Sequence, residues 1–389
     1  MKALVISPQP FFSPRGTPLS VYYRTLVAAE LGVEIDLLTY GQGDDVAIPG
    51  VRIIRIPAFR YLGPVKVGPS HLKLWLDAVL FLRMVGLMWK HRYDVVHAHE
   101  EAIFLAAPMK PIFGFKLIYD MHSSLPAQLR SFEFVRSKTI IRLFEWLENV
   151  ALRSADAVIA ICEDLHHHAT TQLSDEKHKV FLIENSVFEA VALVSNGRPS
   201  PAKGLNLPTS ARLVVYAGTM EPYQGIDLAL RAFRIVAEHE RDVRFLLAGG
   251  NPVQVRHFQA LARELGIAER CVFTGTVPRA QAQQYLRIAA VLVSPRRGGT
   301  NTPLKIYEQL ASGKPLVATR IHAHTQVLTD DVAYLVAPDP EGMARGLLEA
   351  LHDTEDVQSR AARAAELYRT RYSRGIYERK MQQVLEAVQ

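Results

Sequence analysis

Only two of the 389 residues are cysteine, Cys162 and Cys271, and they lie far apart, inside or beside apolar strand-like runs. Neither a disulfide framework nor a zinc site can be built from them, and both are expected as buried packing residues. Long apolar runs are missing too. No stretch approaches the ~20 residues needed to cross a bilayer. The N-terminal Ala3-Leu-Val-Ile6 before Ser7-Pro8 is a first strand, too short for the apolar core of a secretion signal. The chain is therefore expected in the cytoplasm. There is no short-period repeat, no low-complexity tract and no recognised nucleic-acid motif, so nucleic acid is not an expected partner. No Asp-x-Asp pair suited to a divalent metal stands at a strand end.

What is present is ordinary globular material, 49% hydrophobic and 22% charged, in a chain long enough for two α/β domains. Short apolar runs alternate with helical segments from Lys2 to Ile161 and again from Arg212 to Val336, which predicts two doubly wound parallel sheets. Between them 186–204 is rich in Ser, Pro, Gly and Lys and reads as a linker. The expected division is 1–185, the linker, 205–370 and a last helix over 371–389. Two such domains are expected to face each other across a cleft by their carboxyl edges, where ligands of this fold class bind.

Charge is unevenly placed. The formal net charge is +6, yet residues 51–92 alone hold eight basic residues against the single acid Asp77, with Phe59, Trp75, Phe81 and Trp89 interleaved. A basic, aromatic and helical stretch (Leu72 to Trp89) suits an anionic membrane surface. The alternative is a core helix with a solvated basic face. His166–His168 reads as the solvated start of a helix, since three successive helical residues point in different directions.

One segment has the build of an anion site. Ile288 to Ser294 is a buried strand, Gly298-Gly299 lets the backbone approach a ligand, and Thr302-Pro303 matches an N-cap and first helical residue. A helix starting there aims free N–H groups and a positive dipole end outward. Lys305, in its first turn, opposes that dipole, which is reasonable if a bound anion offsets it. Arg296 and Arg297 stand at the strand end.

Several stretches resemble the retaining sugar-nucleotide glycosyltransferases of the GT-B fold, family four. They are Tyr93-Asp-Val-Val-His-Ala-His99, Ala155-Asp-Ala-Val-Ile-Ala160, Tyr216-Ala-Gly-Thr-Met-Glu-Pro-Tyr-Gln-Gly-Ile-Asp227 and Glu308-Gln-Leu-Ala-Ser-Gly-Lys-Pro-Leu-Val-Ala-Thr319. The resemblance covers nearly the whole chain. It implies two Rossmann-like domains, a nucleotide-diphosphate-sugar donor held by the C-terminal one, a glycan or lipid-linked acceptor by the N-terminal one, and a last helix crossing back. No cofactor or metal is implied beyond the donor as co-substrate. Glu308 matches the family's ribose-binding glutamate, but the partner glutamate's position is Thr300, and the basic pair that holds the diphosphate is replaced by Thr219 and Gln224. Lys305 and Arg296 are expected to supply the missing charge. Donor-binding positions carried over are Gly16, Gly218, Thr219, Gln224, Gly250, Val277, Gly299, Thr300, Asn301, Thr302, Pro303, Leu304 and Glu308. Thr276 and the Gly249-Gly250 turn are expected near the nucleotide.

On the N-terminal side, Phe11-Phe-Ser-Pro-Arg-Gly-Thr17 matches the family's loop over donor phosphate and acceptor, with Arg15 contacting either; a structural turn is the alternative. His122, in Asp120-Met-His122, corresponds to the histidine near the reacting carbon, unless it is a satisfied core residue. His97 is expected to be buried and His99 to approach the cleft and the acceptor. The implied chemistry is front-face transfer with retention and without a metal, at a cytoplasmic membrane face if the basic segment meets lipid. A fold-keeping but inactive binding or regulatory subunit is the second reading, and an epimerase or phosphorylase the third.

Overall fold

The computed structural model describes residues 1–12, 16–59, 71–124, 126, 138–185, 208, 210–352 and 354–389. The linker 186–204, Arg15, Arg60 and Lys66 lie outside them. Contacts divide the chain into two units, Met1–Asn185 with Arg374–Gln389, and Ser186–Ser373.

The first unit holds seven parallel strands in the order β3-β2-β1-β4-β5-β6-β7. These are β1 (Lys2–Ser7), β2 (Glu34–Thr39), β3 (Val51–Arg55), β4 (Val95–His99), β5 (Lys116–Met121), β6 (Ala157–Ala160) and β7 (Val180–Leu182). Nearly every residue of β1, β4, β5 and β6 is buried, as expected of strands covered on both faces. The second unit has six parallel strands in the order β10-β9-β8-β11-β12-β13. Their ranges are β8 (Arg212–Ala217), β9 (Val243–Ala248), β10 (Cys271–Gly275), β11 (Val291–Ser294), β12 (Leu316–Thr319) and β13 (Tyr334–Val336). Alternate residues feed two separate cores: Val214, Tyr216, Phe245 and Val293 lie in one, and Leu213, Val215, Leu246 and Leu292 in the other.

Strand order reverses direction between β1 and β4 in the first sheet and between β8 and β11 in the second. Outside the carboxyl ends of those strand pairs lies the crevice in which open α/β sheets bind ligands. In the second unit β8 pairs with β11 through Val214 and Val291, so both strands deliver their following loops to one edge.

The predicted helix after β3 runs from His71 to Lys90, burying Leu76, Leu80, Met84 and Leu87. Its other face leaves Leu74, Trp75, Leu82 and Trp89 exposed, Trp89 by 74%. The helix Lys138–Ser154 likewise exposes Leu143, Trp146 and Val150. The last helix, Arg374–Ala387, packs in the first unit, where Arg374 pairs with Glu30 at 2.5 Å and Lys380 with Glu184 at 2.6 Å.

Four expectations need correction. Strand β7 was not expected. Cys271 is only half-buried, at the start of β10, whereas Cys162 is buried. His168 sits within the helix Glu163–Gln172 and bonds Glu148 at 2.6 Å, so it is not merely solvated. The basic segment is partly neutralised: Arg52 pairs with Asp36 at 2.6 Å, Lys73 with Glu101 and Arg55 with Asp45 at 3.7 Å. Arg83, Lys90 and Arg92 stay exposed.

Candidate functional site

In the second unit the loops after β8 and β11 are drawn together by backbone contact. Gly225 has φ +71°, and a Cβ there would stand 2.0 Å from the carbonyl oxygen of Pro295. A Cβ at Gly249, with φ +125°, would stand 1.9 Å from the oxygen of Gly218. Only glycine allows either approach.

Between these loops sits Lys305, in the first turn of the helix Leu304–Ala311. Its Nζ donates to Gln224 Oε1 at 2.7 Å and to the Tyr216 hydroxyl at 3.3 Å, and lies 4.4 Å over the Tyr216 ring. Gln224 in turn donates to Thr219 Oγ1 at 3.4 Å. The structure thus places Lys305 against Gln224, and through Gln224 beside Thr219, the two positions at which the resemblance implied a basic pair. Burial, and after it the charge of Arg296, pushes the Lys305 ammonium down to about 7. Arg296 donates to Gly298 O at 2.5 Å and lies 5.2 Å over the Tyr223 ring, and burial lowers its pKa too. The neighbouring cations are compensated: Arg297 pairs with Asp227 at 2.9 Å and Arg279 with Glu308. Among the described residues, no carboxylate pairs with Lys305 or Arg296.

Two donor-side expectations change. Pro303, with ψ 136°, occupies the cap position, so the helix begins at Leu304 and Thr302 stands one residue too early to cap it. The Thr302 hydroxyl is left buried with no hydrogen-bond partner. Glu308, expected to be available for a ribose, has its carboxylate engaged by Arg279. Elsewhere Thr276 donates to Gly250 O at 3.1 Å, Val277 is half-buried, and Thr300 donates to Asn301 Oδ1 at 3.3 Å while its carbonyl accepts from Gln326 at 2.5 Å.

In the first unit the histidines gather at the carboxyl ends of β4 and β5. Asp120, fully buried, accepts from Arg24 Nε at 2.8 Å and lies 3.2 Å from His97 Nε2, 3.4 Å from His99 Nδ1 and 3.3 Å from His122 Nε2. Burial opposes the Asp120 charge, yet Arg24 above all holds the carboxyl well below its usual range. Burial lowers His97 and, further, His99. For His122 burial also acts downward, but Asp120 outweighs it and the imidazolium is held above its usual pKa. His99 does not stand open as expected. It is 1% exposed, stacked on the His97 ring at 4.5 Å, with Nε2 lacking a partner. Ligand atoms of His97, His99 and Asp120 lie within 4.8 Å of one another, close enough to share a metal ion. Gly16 is the exposed first residue of the helix Gly16–Glu30. Arg24 and Asp120 were missed as site residues; they stand 96 residues apart, and no local pattern joins them.

Comparison with known proteins bears on both units. Residues 21–185 match the model described as Glycosyl transferase 4-like domain, and 211–353 match Glycosyl transferases group 1. D-inositol 3-phosphate glycosyltransferase of Streptomyces avermitilis is 26% identical over 377 residues, covering 89% of this chain and 78% of the relative. Sucrose-phosphate synthase from Thermosynechococcus elongatus superposes with a TM-score of 0.77 at 20% identity, over 99% of this chain and 98% of that one. HepE from Anabaena, solved in complex with UDP, superposes at 0.73 with 17% identity, over 99% of this chain and all (100%) of that one. With its two halves matched to glycosyltransferase domain models and each unit carrying a parallel α/β sheet, the chain is a glycosyltransferase of the GT-B fold class.

Proposed function

We propose that the protein moves a sugar, with retention of anomeric configuration, from a nucleotide-diphosphate donor to a glycan or lipid-linked acceptor at a membrane face. The observation that carries the donor half is Lys305, a half-buried cation beside Arg296 with no carboxylate for either among the described residues. A diphosphate there completes what the protein leaves uncompensated, and the unpartnered Thr302 hydroxyl and the start of the helix at Leu304 add donors to it. Fixed positive charge at the departing diphosphate is the main catalytic contribution open to such a site. The acceptor hydroxyl then attacks on the face from which the diphosphate leaves, and a phosphate oxygen takes its proton, with no metal required. His122 orients a donor hydroxyl or the acceptor.

The acceptor half rests on the helix His71–Lys90. Its exposed Trp75, Leu82 and Trp89 stand with Arg83 and Lys90, a combination suited to an anionic lipid surface.

A thermal-shift panel of UDP, GDP, ADP and their sugar conjugates, with and without Lys305→Ala, tests the donor site. Saturating ligand is expected to stabilise by about 3–4 kcal/mol through mass action, and the mutant to lose most of it. NMR of the product's anomeric proton decides retention, turnover in EDTA decides metal independence, and flotation with phosphatidylserine vesicles tests the membrane face. Glu308, held by Arg279, is the observation that favours the second reading, a binding protein without turnover. Donor binding with no transfer to any acceptor supports it.

A further inference from the structure

We propose that Arg24 and Asp120 form a positioning pair for His122, and that Tyr377 of the last helix holds Arg24 in place. The proposal rests on the reading of His122 as a residue that meets donor or acceptor, and adds to it how that ring is oriented.

Arg24 comes from the helix Gly16–Glu30, whose buried residues Val21, Tyr22, Tyr23, Val27 and Ala28 are otherwise those of an ordinary packing face. A guanidinium among them is costly unless fully engaged. It is 0% exposed and donates through Nε to Asp120 Oδ2 at 2.8 Å, and through Nη2 to Asp120 Oδ1 at 3.4 Å and to Ile183 O at 3.3 Å, while Nη1 is buried without a hydrogen-bond partner. The guanidinium carbon lies 5.2 Å from the centre of the Tyr377 ring. A planar fork on a carboxylate fixes the plane of that carboxylate, not only its charge. Once Asp120 is fixed, its Oδ1 stands 3.3 Å from His122 Nε2, and His99 Nδ1 stands 3.2 Å from the same nitrogen. The His122 ring is thereby held by groups that are themselves held.

The charged and titratable groups facing His122 are Asp120 and Arg24, the histidines His97 and His99 on β4, and Glu100 after it. Glu100 has φ +51°, alone among described non-glycine residues in the left-handed region, and its N–H bonds Asp120 O at 3.1 Å. Backbone strain of that kind concentrates at working sites. Behind Arg24 stand Tyr377 and Glu184, the latter held by Lys380 at 2.6 Å.

The same cluster offers a metal three ligands, but a dication would sit beside the Arg24 guanidinium, which already occupies the carboxylate oxygen nearest both His97 and His99. The arrangement suits a proton shared between carboxylate and imidazoles.

The test reads orientation. Arg24→Lys keeps the charge but not the fork, and is expected to lower kcat about tenfold with donor KM within about threefold, the pattern of lost orientation. Asp120→Asn is expected to lower kcat at least as far. Ring-labelled histidine NMR of the whole protein at one pH, with His122 assigned through His122→Gln, is expected to show the His122 resonances displaced or broadened in both variants. Full kcat in a folded Arg24→Lys protein overturns the proposal, as do His122 resonances unchanged in a folded Asp120→Asn protein. One equivalent of zinc retained by the purified protein also overturns it, since the carboxylate then serves the metal. His122 resonances that move as expected while no donor supports transfer leave the positioning pair standing and remove the transferase reading instead.

Discussion

Near the switch in its strand order each unit holds a cation, Arg24 wholly buried and Lys305 half-buried, and the two are treated in opposite ways. Arg24 in the first unit meets a carboxylate and a backbone carbonyl, and Asp120 gathers three histidines around that pair. Lys305 in the second unit meets an amide oxygen, a phenol and a ring face. The first cluster balances its charge within itself, although Arg24 Nη1 and His99 Nε2 are buried without hydrogen-bond partners. The second is a cation with no carboxylate partner among the described residues, its pKa lowered to about 7 by burial and then by Arg296. A buried cation's partner, more than its burial, tells a scaffold from a binding site.

The sharpest way to break this contrast is stability. Removing one member of this buried pair, as in Arg24→Met, leaves Asp120 buried with only the histidines against it and is expected to cost about 3–5 kcal/mol in urea unfolding of the first unit. Lys305→Met removes a cation that lacked a counter-ion and is expected to leave the second unit as stable or more so. Equal losses in both would dissolve the contrast.

Next comes donor affinity. Lys305→Ala is expected to weaken nucleotide-diphosphate binding about 10- to 100-fold, the range of a charge-assisted hydrogen bond. Isothermal titration that finds a change within about threefold would falsify the assignment of charge to Lys305.

Smaller in size but more specific is proton linkage. The folded pKa of about 7 lies below the ordinary 10.5, so Lys305 is about half charged at neutral pH and mostly neutral at pH 8. An anion restores the proton. Binding enthalpies in two buffers of different ionisation heat are expected to show net proton uptake above pH 7, and affinity should fall by up to tenfold per pH unit between about 7 and 9. For the empty protein the sign is reversed: the unfolded chain binds the extra proton, so stability contributed through Lys305 rises from about pH 7 to 10.5. Both trends vanish in Lys305→Met.

The smallest expected effect is at Trp89, which is 74% exposed and touches only the Phe113 ring among aromatic partners described. Trp89→Ser is expected to change unfolding by no more than about 0.5 kcal/mol while reducing flotation with anionic vesicles. Unchanged flotation would remove this face from the membrane reading.

How much of this could be read in advance follows from distance along the chain. The sheets were legible because strand–helix alternation is local, and β7 was missed because three residues, Val180–Leu182, among lysines and histidines carry too little apolar signal. That Lys305 would stand close to Gln224 was legible from the electrostatic deficit at the Thr219 and Gln224 positions. Arg24–Asp120 and Arg279–Glu308 were not: each joins side chains 96 and 29 residues apart, brought together by the sheet alone. The cap at Thr302 was misjudged because Pro303, favourable at a first helical position, took an extended ψ instead.

The first unit is interrupted in sequence: the chain leaves it at Asn185 and re-enters at Arg374. Its Arg24, made early, finds Tyr377 only after everything between has been synthesised, roughly twenty to seventy seconds later at ordinary ribosomal rates. During that interval a guanidinium and a carboxylate destined for burial stay under an unfinished surface. The order of manufacture therefore makes the ring of Tyr377 a late cover over an early and wholly buried charge.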